Sequence, residues 1–466
     1  MFRKKGLLIM FVAGLAVGLM FGPVVARSSD VDMDSWRSEF FEPLSKAVQQ
    51  IQMQYVEEVS PGDLLKGAYH GMLRELDDHS DYIPPDRLEG FQEDAEGEFG
   101  GLGIQIRYDP TENILRVEQP IPGTPAFQQG VLAGDIITNI YDEEKDEDYD
   151  PRDFETVHDA VSILRGDEGS EVTIRVLHRD SGEEEEITIE RDIISVPGAR
   201  SARIVDPEWK IGYVYVAQFH EKTADDLREA LEELKDEGID ALVVDLRFNP
   251  GGLLKSAIDV ADMFLHDSTV VSTRGRSVSE ETFSTHSDDM LVDAPIAVLV
   301  NGYSASASEI VAGAIKDNDR GLIVGDTTFG KASVQSILPL GEDGGALKLT
   351  TAKYYTPSGN LIDGEGVQPH IKVDLDDADN RKLAEIIADE DDYPPILSTD
   401  DDDKDRPSFP SAYREEGELD ETVSEGEEGD DEPFIDDQLL RAVDVLKATL
   451  VERSTEAKKR AESEQE

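Results

Sequence analysis

APIAVLVNGYSASASEIVAGAIKDNDRGLIVG, residues 294–325, condenses the fold into one segment. Ala294–Val300 has the length and β-branched content of a buried strand, SASEIVAGAIKD is apolar at helical spacing, and GLIVG is a second short apolar run. Strand, helix and strand in immediate succession form the repeating unit of a layered α/β domain. The alternation extends upstream through strand IGYVYVAQF (211–219), helix ADDLREALEELKDEG (224–238), strand DALVVDLR (240–247) and a helix around LLKSAIDVADMFL (253–265). Loops after such strands are where sites usually sit.

Outside this region the pattern changes. Between 100 and 192 the apolar period moves toward two: GLGIQIRY, NILRVEQ, DIITNIY, SEVTIRVLHR and EEITIERD predict strands, with PAFQQGVL and FETVHDAVSILRG as short helices. DEEKDEDYDPRD, 142–153, reads as a solvent-facing acidic loop interrupting that module. Residues 31–92 read as helices: Phe41, Leu44, Val48, Ile51 and Tyr55 form one stripe, Leu64, Leu65, Ala68, Met72 and Leu76 another, with Pro84 and Pro85 as the stop. One apolar stripe with few other contacts predicts packing between copies of the chain.

The 466 residues carry 103 Asp+Glu against 44 Lys+Arg, a formal charge of -59. Such a surface repels phosphates, so no nucleic-acid partner is expected. It reads either as adaptation to brine or as the consequence of an acidic tail. Residues 389–437 alone hold 22 Asp+Glu and 3 Lys+Arg, which predicts that the segment 376–437 is largely disordered. A terminal helix, 438–466, then offers Leu439, Leu440, Val443, Leu446 and Leu450 as a face to dock on the body. At the other end, Arg3, Lys4 and Lys5 precede an uncharged run from Leu7 to Ala26. That order marks export, with residues 1–30 as a cleaved signal or a retained membrane anchor. Export places the mature chain in the periplasm or on the outer face of the membrane. There is no cysteine, hence no disulfide, thiolate nucleophile or cysteine metal site.

Ser304, Ser306 and Ser308 alternate just after the strand, yet a serine nucleophile needs a base. His220, His266, His286 and His370 lie in unrelated contexts and form no triad order. Lys331, in the uncharged run TTFGKASV, is the alternative, since an amine kept neutral by burial accepts a proton. The residues alone do not choose among the three serines.

NGYSASASEIVAGAIKDNDR followed by VGDTTFGKASVQ, flanked by DLRFNPGGLL and LKLTTAKYYTPSGNLIDGEGVQP, resembles the catalytic core of the C-terminal processing (tail-specific) proteases, the S41 serine peptidases. The resemblance spans roughly 40–375 plus the last helix. It implies an α/β protease core at 205–375, completed by residues before an inserted PDZ domain at 98–192, with helical segments at both ends. It implies Ser306 as nucleophile, Lys331, 25 positions later, as general base, and Gln335 as its support. Gly252 and Ala307 are implied as oxyanion donors. GEFGGLGIQI resembles the carboxylate-binding entry of the PDZ domain, so Gly101, Leu102, Gly103 and Ile104 are implied to receive a substrate tail. Arg165 matches the arginine coupling that domain to the protease. Two departures stand out: the acidic 142–153 insertion, and Ala332 where the family often has glycine. No cofactor or metal is implied, and the expected partners are polypeptides with accessible C-terminal tails. A catalytically dead PDZ scaffold and a lactamase-like Ser-Lys hydrolase are the rival readings; the first needs none of Ser306, Lys331 and Gln335, and the second lacks its SxxK order at Ser306.

Overall fold

Five of the six strands in the central sheet run parallel, as the alternation of strands and helices requires. The computed structural model describes residues 39, 41–154, 156–179, 181–286, 290–341, 344–388, 393, 394, 397 and 434–463. Its chain divides into two compact units, 1–86 with 198–466, and 87–197.

In the first unit the sheet order is Ala199–Asp206, Ile211–Val216, Ala241–Asp245, Ile296–Val300, Gly321–Gly325 and Ile371–Lys372. Only the first pair is antiparallel. Strands buried on both faces are apolar throughout rather than alternating, which is why the sequence shows them as continuous runs. Val214, Val216, Leu242 and Val244 face helices Thr223–Glu237, Leu254–Asp262 and Ala307–Asp317. Tyr213, Tyr215, Val243 and Ala297 face the opposite side, where Leu383 of helix Asp377–Ala388 and Leu439, Val443 and Leu446 of helix Asp437–Ser463 cover them. A second, antiparallel sheet was not visible in the strand-helix alternation. Its hub is the ten-residue strand Ala346–Tyr355, paired with Asp81–Ile83, Ser333–Pro339 and Thr269–Arg274.

The second unit is an antiparallel sheet ordered Ile104–Asp109, Ile114–Pro120, Ile136–Asp142, Glu171–Leu177 and Glu184–Glu190. Helix Val157–Leu164 packs its Ala160, Ile163 and Leu164 into the same core as Leu115, Val117, Ile137 and Ile174. A short ladder, Glu98–Gly101 with Asp192–Ser195, ties the unit's beginning to its end.

Two expectations are corrected. The acidic stretch 142–153 is not a plain loop: Glu147–Tyr149 pairs back onto Ile140–Asp142 as a hairpin, and Pro151–Asp153 forms a turn of 3-10 helix. Tyr149 opposite Ile140 supplies the apolar cross-strand pair that a count of charges hides. The helix expected to run to Pro84 ends at Arg74, and Pro85 instead opens a new helix, Pro85–Glu96, because proline suits a first helical turn. Within 376–437, Asp377–Ala388 is helical, and Tyr393, Leu397, Phe434 and Asp436 are buried. Few but well-spaced apolar residues suffice to return the chain to the core. The leader 1–30 and residues 401–433 lie outside the described residues. Among the described residues no helix is long and apolar enough to cross a membrane.

Candidate active site

The chain leaves strand Ile296–Val300, turns through Asn301–Ala305 and enters helix Ala307–Asp317 with Ser306 as the cap. The three serines diverge there. Ser304 is buried, its hydroxyl donating to Leu246 O at 2.8 Å and accepting from Asn301 N–H at 3.0 Å. Ser308 is buried and donates to Asn249 O at 2.9 Å. Both hydroxyls are spent on tying the turn to loop 246–252. Ser306 is the one that reaches solvent, and it holds φ 54° and ψ −111°. A non-glycine residue there stores strain of about 1–3 kcal/mol, a feature of sharp strand-to-helix turns that present a side chain outward.

Opposite this turn lies the loop after strand Ala241–Asp245. Gly251 has φ +99°, and a Cβ on it would come within 2.6 Å of Ala305 O and 2.7 Å of Ser306 Cβ. Gly252 has φ +146°, and a Cβ would stand 2.0 Å from Phe219 O. Glycine is therefore required for the loop to lie against Ser306. The N–H groups of Gly252 and Ala307 donate no hydrogen bond among the described residues. Ala307 is also the first residue of a helix, where unpaired N–H groups favour negative charge.

Glu309 fastens the second side of the site. One carboxylate oxygen accepts from Ser306 N–H at 2.9 Å and Lys331 N–H at 2.8 Å. The other accepts from the Thr328 hydroxyl at 2.5 Å and Gly330 N–H at 2.7 Å. Burial pushes this carboxyl above its ordinary value, and the four donors pull against that rise. Tyr354 stands within reach of both the Ser306 carbonyl, at 3.1 Å, and the Lys331 carbonyl. One carboxylate and one phenol thus clamp the backbones of Ser306 and Lys331 together across 25 residues of chain.

Lys331 is half-buried, and burial pulls its ammonium below the ordinary lysine value. The charge of Lys348 adds to this, while Glu309 and Asp77 oppose it. Among the described residues no carboxylate oxygen comes within 4.0 Å of its amine, and no hydrogen bond joins that amine to the Ser306 hydroxyl. Gln335 does not bond Lys331 either: its amide nitrogen donates to Ser333 Oγ at 2.8 Å and Thr350 Oγ1 at 3.3 Å. Ala332 is fully buried and its carbonyl accepts from Tyr354 N–H, a place where a methyl group is accommodated.

In the second unit, Leu102 and Gly103 link the short ladder to strand Ile104–Asp109, which is an edge of its sheet. Gly101 pairs with Asp192, and the Leu102 side chain belongs to the core. The N–H groups of Leu102 and Gly103 donate no hydrogen bond among the described residues. Arg165 stacks over Phe99 at 4.1 Å and bridges Glu93 at 3.3 Å and Asp94 at 3.0 Å, so its guanidinium is engaged within its own unit.

Sequence reasoning missed Glu309, Tyr354 and Asp77. For Glu309 a signal existed: acid three residues after a capping serine is the reciprocal capping pattern. Its reach to residues 328–331 is visible only in three dimensions.

Residues 210–373 match the family described as peptidase family S41, and residues 24–85 match the activating protease CtpB N-terminal domain. The carboxy-terminal-processing protease of Bartonella bacilliformis is 40% identical over 381 residues, covering 80% of this chain and 83% of that protein. The carboxyl-terminal-processing protease of Synechocystis sp. is 35% identical over 306 residues, covering 65% and 69%. Among solved structures, the photosystem II D1 C-terminal processing protease is 28% identical, with a TM-score of 0.42, covering 73% of this chain and 88% of that one.

Proposed function

Because the chain belongs to the carboxy-terminal processing proteases of peptidase family S41, and is thus a serine-type peptidase acting on polypeptides, we propose that it cleaves with a Ser306–Lys331 dyad. The observation that carries this reading is the contrast among the serines: Ser304 and Ser308 are buried and committed to carbonyls, whereas Ser306 is strained, outward and next to free N–H groups.

Neutral Lys331 takes the Ser306 proton as Oγ bonds to the scissile carbonyl carbon, and the π pair moves to the carbonyl oxygen. The Gly252 and Ala307 N–H groups hold that oxyanion. Collapse expels the amine, which takes the proton from the Lys331 ammonium. Water then repeats the cycle on the acyl-enzyme. The absence of a Ser306–Lys331 hydrogen bond suits a resting site that tightens when substrate engages.

Unit 87–197 is read as a PDZ domain that recognises the substrate tail. Its edge strand Ile104–Asp109 is open to an added peptide strand, and the N–H groups of Leu102 and Gly103 are available to a terminal carboxylate. Arg165 is proposed to couple tail binding to the protease, which requires its release from Glu93 and Asp94. The basic-then-apolar leader supports export, and the helical ends support a homodimer or higher oligomer.

Ser306→Ala is expected to abolish cleavage of a tail-bearing polypeptide while leaving the circular dichroism spectrum unchanged; turnover by the purified variant would remove Ser306 as nucleophile. Lys331→Arg is expected to be equally inactive, since a guanidinium accepts no proton at neutral pH.

A further inference from the structure

Asp77 occupies the turn between helix Pro61–Arg74 and strand Asp81–Ile83, far in sequence from every residue assigned above. Its Oδ1 accepts from His79 N–H at 2.8 Å, Ser80 N–H at 2.7 Å and the Thr350 hydroxyl at 3.2 Å, and its Oδ2 accepts from the Ser80 hydroxyl at 3.0 Å. Thr350 N–H returns to Ser80 Oγ at 3.1 Å, locking the turn onto strand Ala346–Tyr355. On the neighbouring strand Gln335 pairs with Thr350 in register, and its amide nitrogen donates to Thr350 Oγ1.

The polarity of this chain is forced. Burial raises the Asp77 carboxyl, but the bonds from His79, Ser80 and Thr350 outweigh it and hold the group below its ordinary value. An ionised carboxylate only accepts, so the single Thr350 proton points to Asp77 and Thr350 Oγ1 must accept from its other neighbour. That fixes which end of the Gln335 amide faces Thr350. The nitrogen faces Thr350 and Ser333, and Oε1, which accepts no hydrogen bond among the described residues, remains as the acceptor.

We infer that Asp77 is a positioning residue for the general base, acting through Thr350 to hold the Gln335 amide with its oxygen presented to the Lys331 ammonium. The inference rests on the Lys331 reading above and adds what orients that base. An amide left to itself adopts either orientation, and with nitrogen inward it would repel the ammonium that forms in the transition state. The charged groups facing Lys331 are Lys348 on the long strand, Glu309 on the helix and Asp77 itself. Asp77 therefore also contributes a negative charge that favours the protonated amine.

The test compares Asp77→Asn, Thr350→Val, Thr350→Ser, Gln335→Ala and the Asp77→Asn/Gln335→Ala double variant, all in the full chain below their melting temperatures. The readout is kcat and KM on a tail-bearing polypeptide as a function of pH. Asp77→Asn and Thr350→Val should lower kcat roughly tenfold or more, with KM within about twofold, because only the positioning of the base is lost. Thr350→Ser keeps the hydroxyl and should stay near the parent rate. Asp77→Asn should also move the acid limb of kcat to lower pH. The double variant should be no slower than Gln335→Ala alone, because both changes break one chain of contacts. Parent rates in both Asp77→Asn and Thr350→Val, or multiplying effects of Asp77→Asn and Gln335→Ala, would overturn the inference. If Lys331→Arg is inactive while those variants are normal, the positioning role fails alone; if Lys331→Arg is active, the base assignment fails with it.

Discussion

A single residue, Ser306, the proposed nucleophile, holds a strained backbone where the strand turns into its helix. Its φ of 54° is held by Glu309 on its N–H and by Gly251 pressed against its Cβ, so the strain is offset by contacts fixed elsewhere. Lys331, the proposed base, differs in kind, since its surroundings rather than its backbone shape would make it reactive. Burial and the neighbouring charge of Lys348 both lower its pKa. A base works when unprotonated, so kcat/KM rises with pH through that pKa, and any change that raises the pKa moves the acid limb up. Lys348→Met is therefore predicted to shift the limb to higher pH, opposite in sign to Asp77→Asn; a limb unmoved or displaced downward would show that Lys348 does not act on the base. The motif made the proposed Ser306 and Lys331 legible in sequence; among the residues around them Glu309 left a local trace in the capping pattern, whereas Tyr354 and Asp77 lie on other elements and left none.

At the scale of elements, loop 246–252, which carries Gly251 and Gly252, is anchored by a buried polar network at the end of strand Ala241–Asp245. Arg247 pairs with Asp245 at 2.6 Å, with Asp436 at 2.8 Å and with the Tyr393 hydroxyl at 2.5 Å, all fully buried. Asp436 also receives the N–H of Leu439, so the residue that caps the last helix is the one that closes on the central sheet. Burial raises the Asp436 carboxyl, but Arg247 and the Tyr393 hydroxyl more than offset this and leave it below the ordinary value. Asp436→Asn leaves Arg247 with Asp245 as its one remaining carboxylate and weakens the bonds to Tyr393 and the helix cap, and is expected to cost about 1–3 kcal/mol of stability at pH 7 by chemical denaturation. A carboxyl with a depressed folded-state pKa stabilises above its unfolded value and loses that contribution as pH falls through the folded one. The difference between parent and Asp436→Asn should accordingly shrink below about pH 4. A variant as stable as the parent at pH 7 would mean the network is dispensable.

For the molecule as a whole, two features look outward. The first helices are amphipathic with little of their apolar stripes covered: Glu42–Gln54 buries no residue, Pro61–Arg74 buries Leu73, and Leu44, Ile51, Met53 and Leu65 are exposed. Apolar stripes of this kind are costly in water, and a second copy offers the matching surface. Replacing Leu44 and Ile51 together by glutamate is predicted to convert a dimer to a monomer in sedimentation equilibrium. An unaltered mass, dimeric or monomeric in both proteins, would exclude these helices as the interface. The second feature is that unit 87–197 interrupts the chain of the other unit between residues 86 and 198, while the strands of the central sheet all come from residues after it.

What the sequence by itself determined was local: the apolar runs that become doubly covered strands, the helices between them, and the motifs that mark the family. These follow from side-chain periodicity and from short segments whose neighbours in sequence are their neighbours in space. Only the tertiary structure chose Ser306 over Ser304 and Ser308 on physical grounds, by burying two hydroxyls and leaving one. It also joined Asp77 to Thr350 across 273 residues, Arg247 to Asp436 across 189, and strand Asp81–Ile83 to the sheet carrying Gln335. Hydrogen-bond partners are selected by proximity after the chain has collapsed, so these contacts have no period or spacing by which to be read beforehand.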